Sequence, residues 1–153
     1  MVNIIETLYL FFYIIIPIRS IEVSNMVKYW YCLYDAGYMG NHNVHTTTSF
    51  KAACANLRKL LDNNASVGEG GCIYDSDPKK LAPRYEFDQI PPSLVAYMEI
   101  RDSKNRKLRL SMNPKIRVPA REYILSKRKP RTAMRYWPEY IVHYDGSLTA
   151  VKK

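Results

Sequence analysis

The sequence predicts an α+β fold: a mostly antiparallel sheet with one clear helix packed on it. Several short segments are rich in β-branched and aromatic residues, and turn-forming residues separate them. Only one long segment repeats its apolar residues at helical spacing. A chain of 153 residues that is 47% apolar can bury one hydrophobic core. We therefore expect a single α+β domain, which we assign to residues 26–153.

The N-terminal run "LYLFFYIIIPI" is the most apolar part of the chain, but it is shorter than the roughly 20 residues that cross a bilayer. A secretory signal carries basic residues before its apolar run, whereas here Glu6 precedes the run and Arg19 follows it. The composition changes abruptly at Met26. We expect residues 1–25 to be an extension upstream of the natural start, with a signal or membrane-anchoring segment at residues 4–18 as the alternative.

The first half of the domain predicts a strand, a loop and a helix. Residues 27–35, "VKYWYCLYD", are dense in β-favouring residues and predict a buried strand. Residues 36–48 hold two glycines and two asparagines and predict a loop. The helix is predicted over residues 49–63, with Thr48 or Ser49 as its cap. Its apolar residues recur every three or four positions: Phe50, Ala53, Cys54, Leu57, Leu60 and Leu61.

The second half predicts more strands and one further helix. Short strands are expected around Cys72–Tyr74 and over Leu94–Arg101, where apolar residues alternate; a helix over 93–101 is the alternative for the latter. The alternation resumes at Lys107 after the turn "DSKN", which predicts a hairpin. A second, short helix is expected at about residues 120–127, with Pro119 at its first position.

The end of the chain carries the strongest hairpin signal. The dipeptide Asp145-Gly146 stands between two apolar runs in "EYIVHYDGSLTAVKK". Asp-Gly between apolar runs favours a tight turn, because glycine adopts positive φ without steric cost. We therefore expect two paired strands at the C-terminus.

The positive charge is confined to one window of the sequence. The whole chain has a net charge of +9, but residues 104–135 alone hold twelve Lys and Arg against one acid, Glu122, a net +11. A localised positive field predicts a polyanionic partner, whereas an even distribution would mainly support solubility.

Within this window the cations are arranged to meet a phosphate backbone. If residues 107–118 form strands, Lys107, Arg109, Lys115 and Arg117 share one face, and cations two residues apart stand about 7 Å apart. That spacing resembles successive phosphates, and nearby aromatic rings can stack on bases. We expect a non-catalytic protein that binds RNA or single-stranded DNA. Its predicted contacts are Lys107, Arg109, Lys115, Arg117, Lys127, Arg128, Lys129, Arg131, Arg135, Tyr136 and Trp137.

The cations of the basic window are compatible with two further roles. They would suit an acidic protein partner in an assembly or inhibitor complex, or they could form a solvated strand face that discourages aggregation. Contact with a membrane is expected only if residues 4–18 belong to the native chain.

No catalytic or metal-binding signature stands in the sequence, so no cofactor is expected. Three cysteines at wide spacing favour buried free thiols and a reducing, cytoplasmic compartment. His42 and His45 lack the further ligands that a zinc site needs. Asp88 with Glu99 and Arg101 approximates the carboxylates of metal-dependent nucleases, but an arginine stands where those enzymes have lysine.

Overall fold

In the part of the chain that the structure describes, seven strands form an antiparallel sheet that carries one α-helix. The computed structural model describes residues 26–35, 40–63, 70–78, 89–102, 104–107 and 121–152. The elements in these ranges are β1 (Tyr29–Asp35), β2 (Gly40–Thr47), α1 (Phe50–Asn63), β3 (Gly70–Tyr74), β4 (Leu94–Arg101), β5 (Glu122–Lys127), a 3-10 helix (Met134–Tyr136), β6 (Glu139–Val142) and β7 (Leu148–Ala150). The strand order is β2-β1-β3-β4-β5-β6-β7, with every neighbouring pair antiparallel. The predicted α+β class with one packed helix is confirmed.

Helix α1 begins where the sequence predicts because Ser49 caps it. The backbone N–H of Ala52 donates to Ser49 Oγ at 3.1 Å, which satisfies one of the donors that the first helical turn leaves unpaired. The helix then buries one apolar stripe against the sheet. The buried side chains of that stripe are Ala53, Cys54, Leu57 and Leu61.

The sheet is covered on both faces. On one face α1 packs over a cluster that includes Leu33, Ile73, Met98 and Leu125. The opposite face carries a second cluster, which consists of Cys32, Cys72, Tyr74, Ile90, Leu94, Tyr97, Met134 and Trp137. The central strands are therefore buried on both sides, as the all-buried pattern of β3 illustrates.

The predicted C-terminal hairpin is present as β6 and β7. His143 N–H donates to Ser147 O at 2.9 Å, and Gly146 has a φ of +89°. An added Cβ at Gly146 would clash with the carbonyl oxygen of Lys51 in α1. The glycine is therefore required twice, for the backbone angle and for the close approach of this turn to the helix.

The short helix predicted at about residues 120–127 is wrong, since Glu122–Lys127 form strand β5. The segment pairs with β4 over six residues, from Ala96↔Lys127 to Arg101↔Glu122, and with β6 on its other side. Its four central residues are all buried, as expected of a strand inside a sheet that is covered on both faces. Pairing on both sides outweighed the local signal of Pro119.

The loop predicted over residues 36–48 is also wrong in its larger part, because Gly40–Thr47 form strand β2. As an edge strand, β2 needs partners on one side only, and it pairs with β1. Asn43 takes a φ of +55°, a conformation that asparagine tolerates better than most residues. The turn-forming residues thus sit within a strand rather than replacing it.

The hairpin predicted after β4 is seen at its beginning. Asp102 accepts the backbone N–H groups of Lys104 and Arg106, each at 2.9 Å. Lys107 then bridges back to Arg101. The chain therefore turns directly after β4, as the residues "DSKN" predict.

The helix considered for residues 93–101 is excluded, because β4 occupies this segment. The continuation of the hairpin through residues 108–120 and the N-terminal residues 1–25 lie outside the described parts of the chain. Within the described parts, no helix has the length and apolar character needed to cross a membrane.

Candidate nucleic-acid interface

The segment that leads from the last residue of β5 towards β6, residues 127–137, contains no acidic residue, and we name it the basic loop. Its cations are Lys127, Arg128, Lys129, Arg131 and Arg135. The N–H of Lys127 donates to the carbonyl of Pro138 at 3.0 Å, so a backbone hydrogen bond joins the two ends of the loop. Five cations are thereby gathered on a segment whose two ends are fixed in the sheet.

Trp137 anchors the basic loop to the second core. Its side chain is 2% exposed, it packs with Met134 in the cluster on the face opposite α1, and its Nε1–H donates to Thr132 O at 3.2 Å. A buried indole cannot present its ring to a base. The structure therefore corrects the prediction for Trp137, and of the two adjacent aromatic residues Tyr136 is the one that is exposed.

Arg128 is the second anchor. Its Nη1 donates to the carbonyl oxygens of Pro91 at 2.7 Å, Pro92 at 3.2 Å and Leu94 at 2.9 Å. Its backbone N–H also donates to Val95 O at 2.9 Å. The guanidinium group was predicted to contact phosphate, but its hydrogen bonds join the loop to the start of β4.

The other cations of the basic loop are open to solvent. Lys127, Lys129, Arg131 and Arg135 are exposed, and within the described residues none of them is held by a carboxylate. Arg135 Cζ lies 5.1 Å from the ring centroid of Tyr136, whose side chain is 63% exposed. A cation and an open aromatic face therefore stand side by side, an arrangement that suits a base and its phosphate.

The predicted contacts divide between two ends of the sheet. Lys107 is exposed and forms a β-bridge with Arg101. Arg101 pairs with Glu122, so Lys107 lies near the start of β5. The basic loop, in contrast, lies at the end of β5. A six-residue strand separates the two by about 20 Å. Arg109, Lys115 and Arg117 lie outside the described residues. In the described part of the chain the predicted surface is thus not one continuous face.

A second cationic feature, absent from the prediction, lies at the Lys107 end of the sheet. It is a half-open cleft of about 210 Å³, which we name the α1 cleft. Arg58 Cζ lies 4.7 Å from the ring centroid of Tyr123 and 5.7 Å from that of Tyr144, and Lys59 Nζ lies 5.2 Å from the latter. The lining residues are Arg58, Lys59, Asp62, Arg121, Tyr123 and Tyr144.

One exposed carboxylate, Asp62, joins two other lining residues of the α1 cleft, Tyr123 and Arg121. Tyr123 donates its phenolic O–H to Asp62 Oδ1 at 2.6 Å, and Arg121 Nη1 lies 3.6 Å from the same oxygen. Burial, and then the bond to Asp62, raises the pKa of Tyr123 to about 12. The phenol is therefore a neutral donor at physiological pH, and the charge of Asp62 is offset by Arg121.

The α1 cleft cannot be predicted from local sequence patterns. Arg58 and Lys59 lie on the polar face of α1, which reads as an ordinary solvated surface. Their partner Tyr144 belongs to the β6–β7 turn, which reaches the helix only because Gly146 permits close packing. The one local signal is Tyr144, an aromatic residue directly before the Asp145-Gly146 turn.

The residues considered for metal binding or catalysis have other roles where they are described. The ring of His45 stacks on Tyr31 at a centroid distance of 5.3 Å. Glu99 accepts a hydrogen bond from Arg101 Nε at 2.8 Å, and Asp88 lies outside the described residues. No group of three or more His, Cys, Asp or Glu side chains suited to a metal ion occurs in the part of the chain that the structure describes.

Comparison of the chain with protein-family models, curated proteins and solved structures finds no match.

Proposed function

We propose that this protein is a non-catalytic binding protein for RNA or single-stranded DNA and that the basic loop makes the contact. One observation supports the proposal above the others: a single anchored segment presents cations without carboxylate partners, among the described residues, beside an exposed aromatic ring. Lys129, Arg131 and Arg135 supply the charge, and Tyr136 supplies the ring.

Each component has a distinct task in this proposal. The cations approach phosphates and release condensed counterions, which gives affinity that does not depend on base identity. The Tyr136 ring stacks on a base, and such stacking contributes about 1–3 kcal/mol for each base. A single-stranded ligand suits this arrangement because its bases are free to leave their neighbours.

The anchors strengthen the proposal because they limit the entropy lost on binding. Ordering a flexible loop costs about 0.5–1.5 kcal/mol for each immobilised long side chain, besides the backbone cost. Trp137 and Arg128 fix the backbone of the basic loop before any ligand arrives. Only the exposed side chains then remain to be ordered.

The test measures fluorescence anisotropy of a labelled single-stranded RNA at low salt. We expect saturable binding by the full chain, and at least tenfold weaker binding by the triple variant Lys129→Ala, Arg131→Ala, Arg135→Ala. The matched control replaces three exposed cations outside the loop, Lys28, Lys104 and Lys152, by alanine and so removes the same charge. Equal weakening in both triple variants would show that net charge alone drives binding.

An acidic protein partner would meet the same cations, so a second measurement separates the two classes. The tagged full chain is used to capture partners from lysate with and without nuclease treatment. Recovery of RNA that the loop triple variant loses supports the proposal. Capture of a protein that survives nuclease treatment, together with absence of RNA binding in the anisotropy measurement, would replace it.

A further inference from the structure

We infer that the α1 cleft is a binding site for a nucleoside phosphate, separate from the basic loop. The cleft lies near the start of β5, and the loop follows its end, so one compact ligand cannot occupy both. This inference does not depend on the proposed function of the loop. It rests on the charges, the rings and the size of the cleft.

The cations of the α1 cleft have N–H donors available for a ligand. Within the described residues Arg58 and Lys59 have no carboxylate partner, and Arg121 shares the single Asp62 at 3.6 Å. Arg58 Cζ lies 4.7 Å from the ring centroid of Tyr123 and 5.7 Å from that of Tyr144. Stacking occupies the flat faces of a guanidinium group and leaves its N–H donors at the edge, where a phosphate is bound.

The aromatic component favours a nucleoside phosphate over phosphate alone. Tyr144 is 71% exposed although it is a large aromatic side chain, and it lies at the rim of the cleft beside Arg58 and Lys59. A base stacked on this ring would place its phosphate near both cations. Tyr123 is the buried residue of the cleft, whereas its hydrogen-bond partner Asp62 is exposed, and the carboxylate of Asp62 offers an acceptor for a ribose hydroxyl.

The size of the cleft sets how the ligand is held. A volume of about 210 Å³ is smaller than the roughly 300 Å³ at which pockets begin to enclose a drug-sized molecule. The cleft therefore takes the phosphate and part of the sugar, while the base lies outside on Tyr144. Asp62 opposes a phosphate placed directly against it, and for this reason the phosphate belongs at the Arg58 and Lys59 side.

The experiment is a chemical-shift titration of the ¹⁵N-labelled full chain with adenosine monophosphate, adenosine and inorganic phosphate. We expect the nucleotide to shift amides of Arg58, Lys59 and Tyr144 saturably and to bind more tightly than either fragment. Lys59→Glu should weaken nucleotide binding about tenfold, the loss of one charge-assisted contact. Tyr144→Ser should weaken the nucleotide by a similar factor but leave inorganic phosphate unchanged.

The controls keep this inference apart from the proposed function. Lys28→Glu makes the same charge change at an exposed position next to β1, which β3 and β4 separate from β5, and should leave nucleotide binding unchanged. Tyr136→Ser should weaken single-stranded RNA at the basic loop but not the nucleotide at the α1 cleft. If a variant loses either RNA binding or nucleotide binding and keeps the other, the result identifies which of the two proposed sites is affected.

The source of the nucleotide is distinguished by adding single-stranded RNA to the nucleotide complex. If the RNA displaces the nucleotide from the α1 cleft, the ligand of the cleft is a nucleotide unit within a nucleic-acid strand. If the RNA shifts only amides of the basic loop, the ligand of the cleft is a free nucleotide. Either result supports the shared chemistry. The inference is overturned if the nucleotide shifts no cleft amide, or if Lys59→Glu weakens it no more than Lys28→Glu does.

Discussion

Replacing Arg128 by alanine should reduce stability rather than remove a phosphate contact. The guanidinium Nη1 donates to three backbone carbonyls at 2.7–3.2 Å, and it links the basic loop to the start of β4. A hydrogen bond from a charged donor contributes about 1.5–3 kcal/mol, and bonds that share one nitrogen do not add fully. We therefore expect Arg128→Ala to lower the free energy of unfolding by about 2–4 kcal/mol.

The assay is urea unfolding followed by tryptophan fluorescence, because Trp137 lies in the core beside the affected loop. With an m-value of about 2 kcal/mol/M, in the middle of the range for small proteins, the unfolding midpoint should fall by about 1–2 M. Lys129→Ala, the adjacent exposed cation, is the matched control and should change the free energy of unfolding by less than about 0.5 kcal/mol.

A binding measurement on the same variants separates the two roles of Arg128. At a temperature where Arg128→Ala is folded, the slope of log affinity for RNA against log salt should equal that of the unaltered chain. If instead the variant keeps its unfolding midpoint while the slope falls by about 0.7, Arg128 contacts phosphate and does not anchor the loop.

Two further predictions follow from buried and hydrogen-bonded groups. Burial raises the pKa of Cys54 to about 12, and all three cysteines are buried free thiols, so an aromatic disulfide reagent should modify them only in denaturant; rapid modification of the native chain would contradict this. The pKa of Asp102 is lowered from 3.8, first by the backbone N–H of Arg106. Its contribution to stability is therefore complete above the pKa of the unfolded chain and is lost as pH falls through the lower folded value. In unfolding measured from about pH 5 to about pH 2, Asp102→Asn should remove the part of the loss of stability at low pH that Asp102 contributes. An unchanged pH profile would exclude this contribution of Asp102.

Local signals in the sequence were sufficient where an element depends on its own residues. The apolar stripe of α1 and its Ser49 cap lie within one segment, as does the Asp145-Gly146 turn between two apolar runs. The class of the fold followed from these elements, because a single packed helix among short strands favours an antiparallel sheet.

Local signals failed where partners elsewhere in the chain decide the structure. Residues 122–127 became a strand because β4 and β6 pair with them on both sides, and Gly40–Thr47 did so because β1 offers an edge. Pro119 and the turn-forming residues 36–43 pointed to other structures locally. The local conformational preferences of residues are routinely outweighed by sheet pairing and burial.

The candidate sites show the same limit. The sequence located the basic loop but could not tell which of Tyr136 and Trp137 is exposed, since burial depends on the packing of the loop onto the second core. Arg128 was predicted as one cation among several, although three carbonyls brought together by the fold fix its guanidinium group. The α1 cleft joins α1, β5 and the β6–β7 turn, and no local pattern predicts that meeting.

The most direct test of the central claim is the salt dependence of RNA binding in the two charge-matched triple variants. If the basic loop contacts phosphate, replacing Lys129, Arg131 and Arg135 by alanine should reduce the slope of log affinity against log salt by about 2. Replacing Lys28, Lys104 and Lys152 should leave that slope unchanged. Equal slopes in the two variants would contradict the assignment of the basic loop as the nucleic-acid interface.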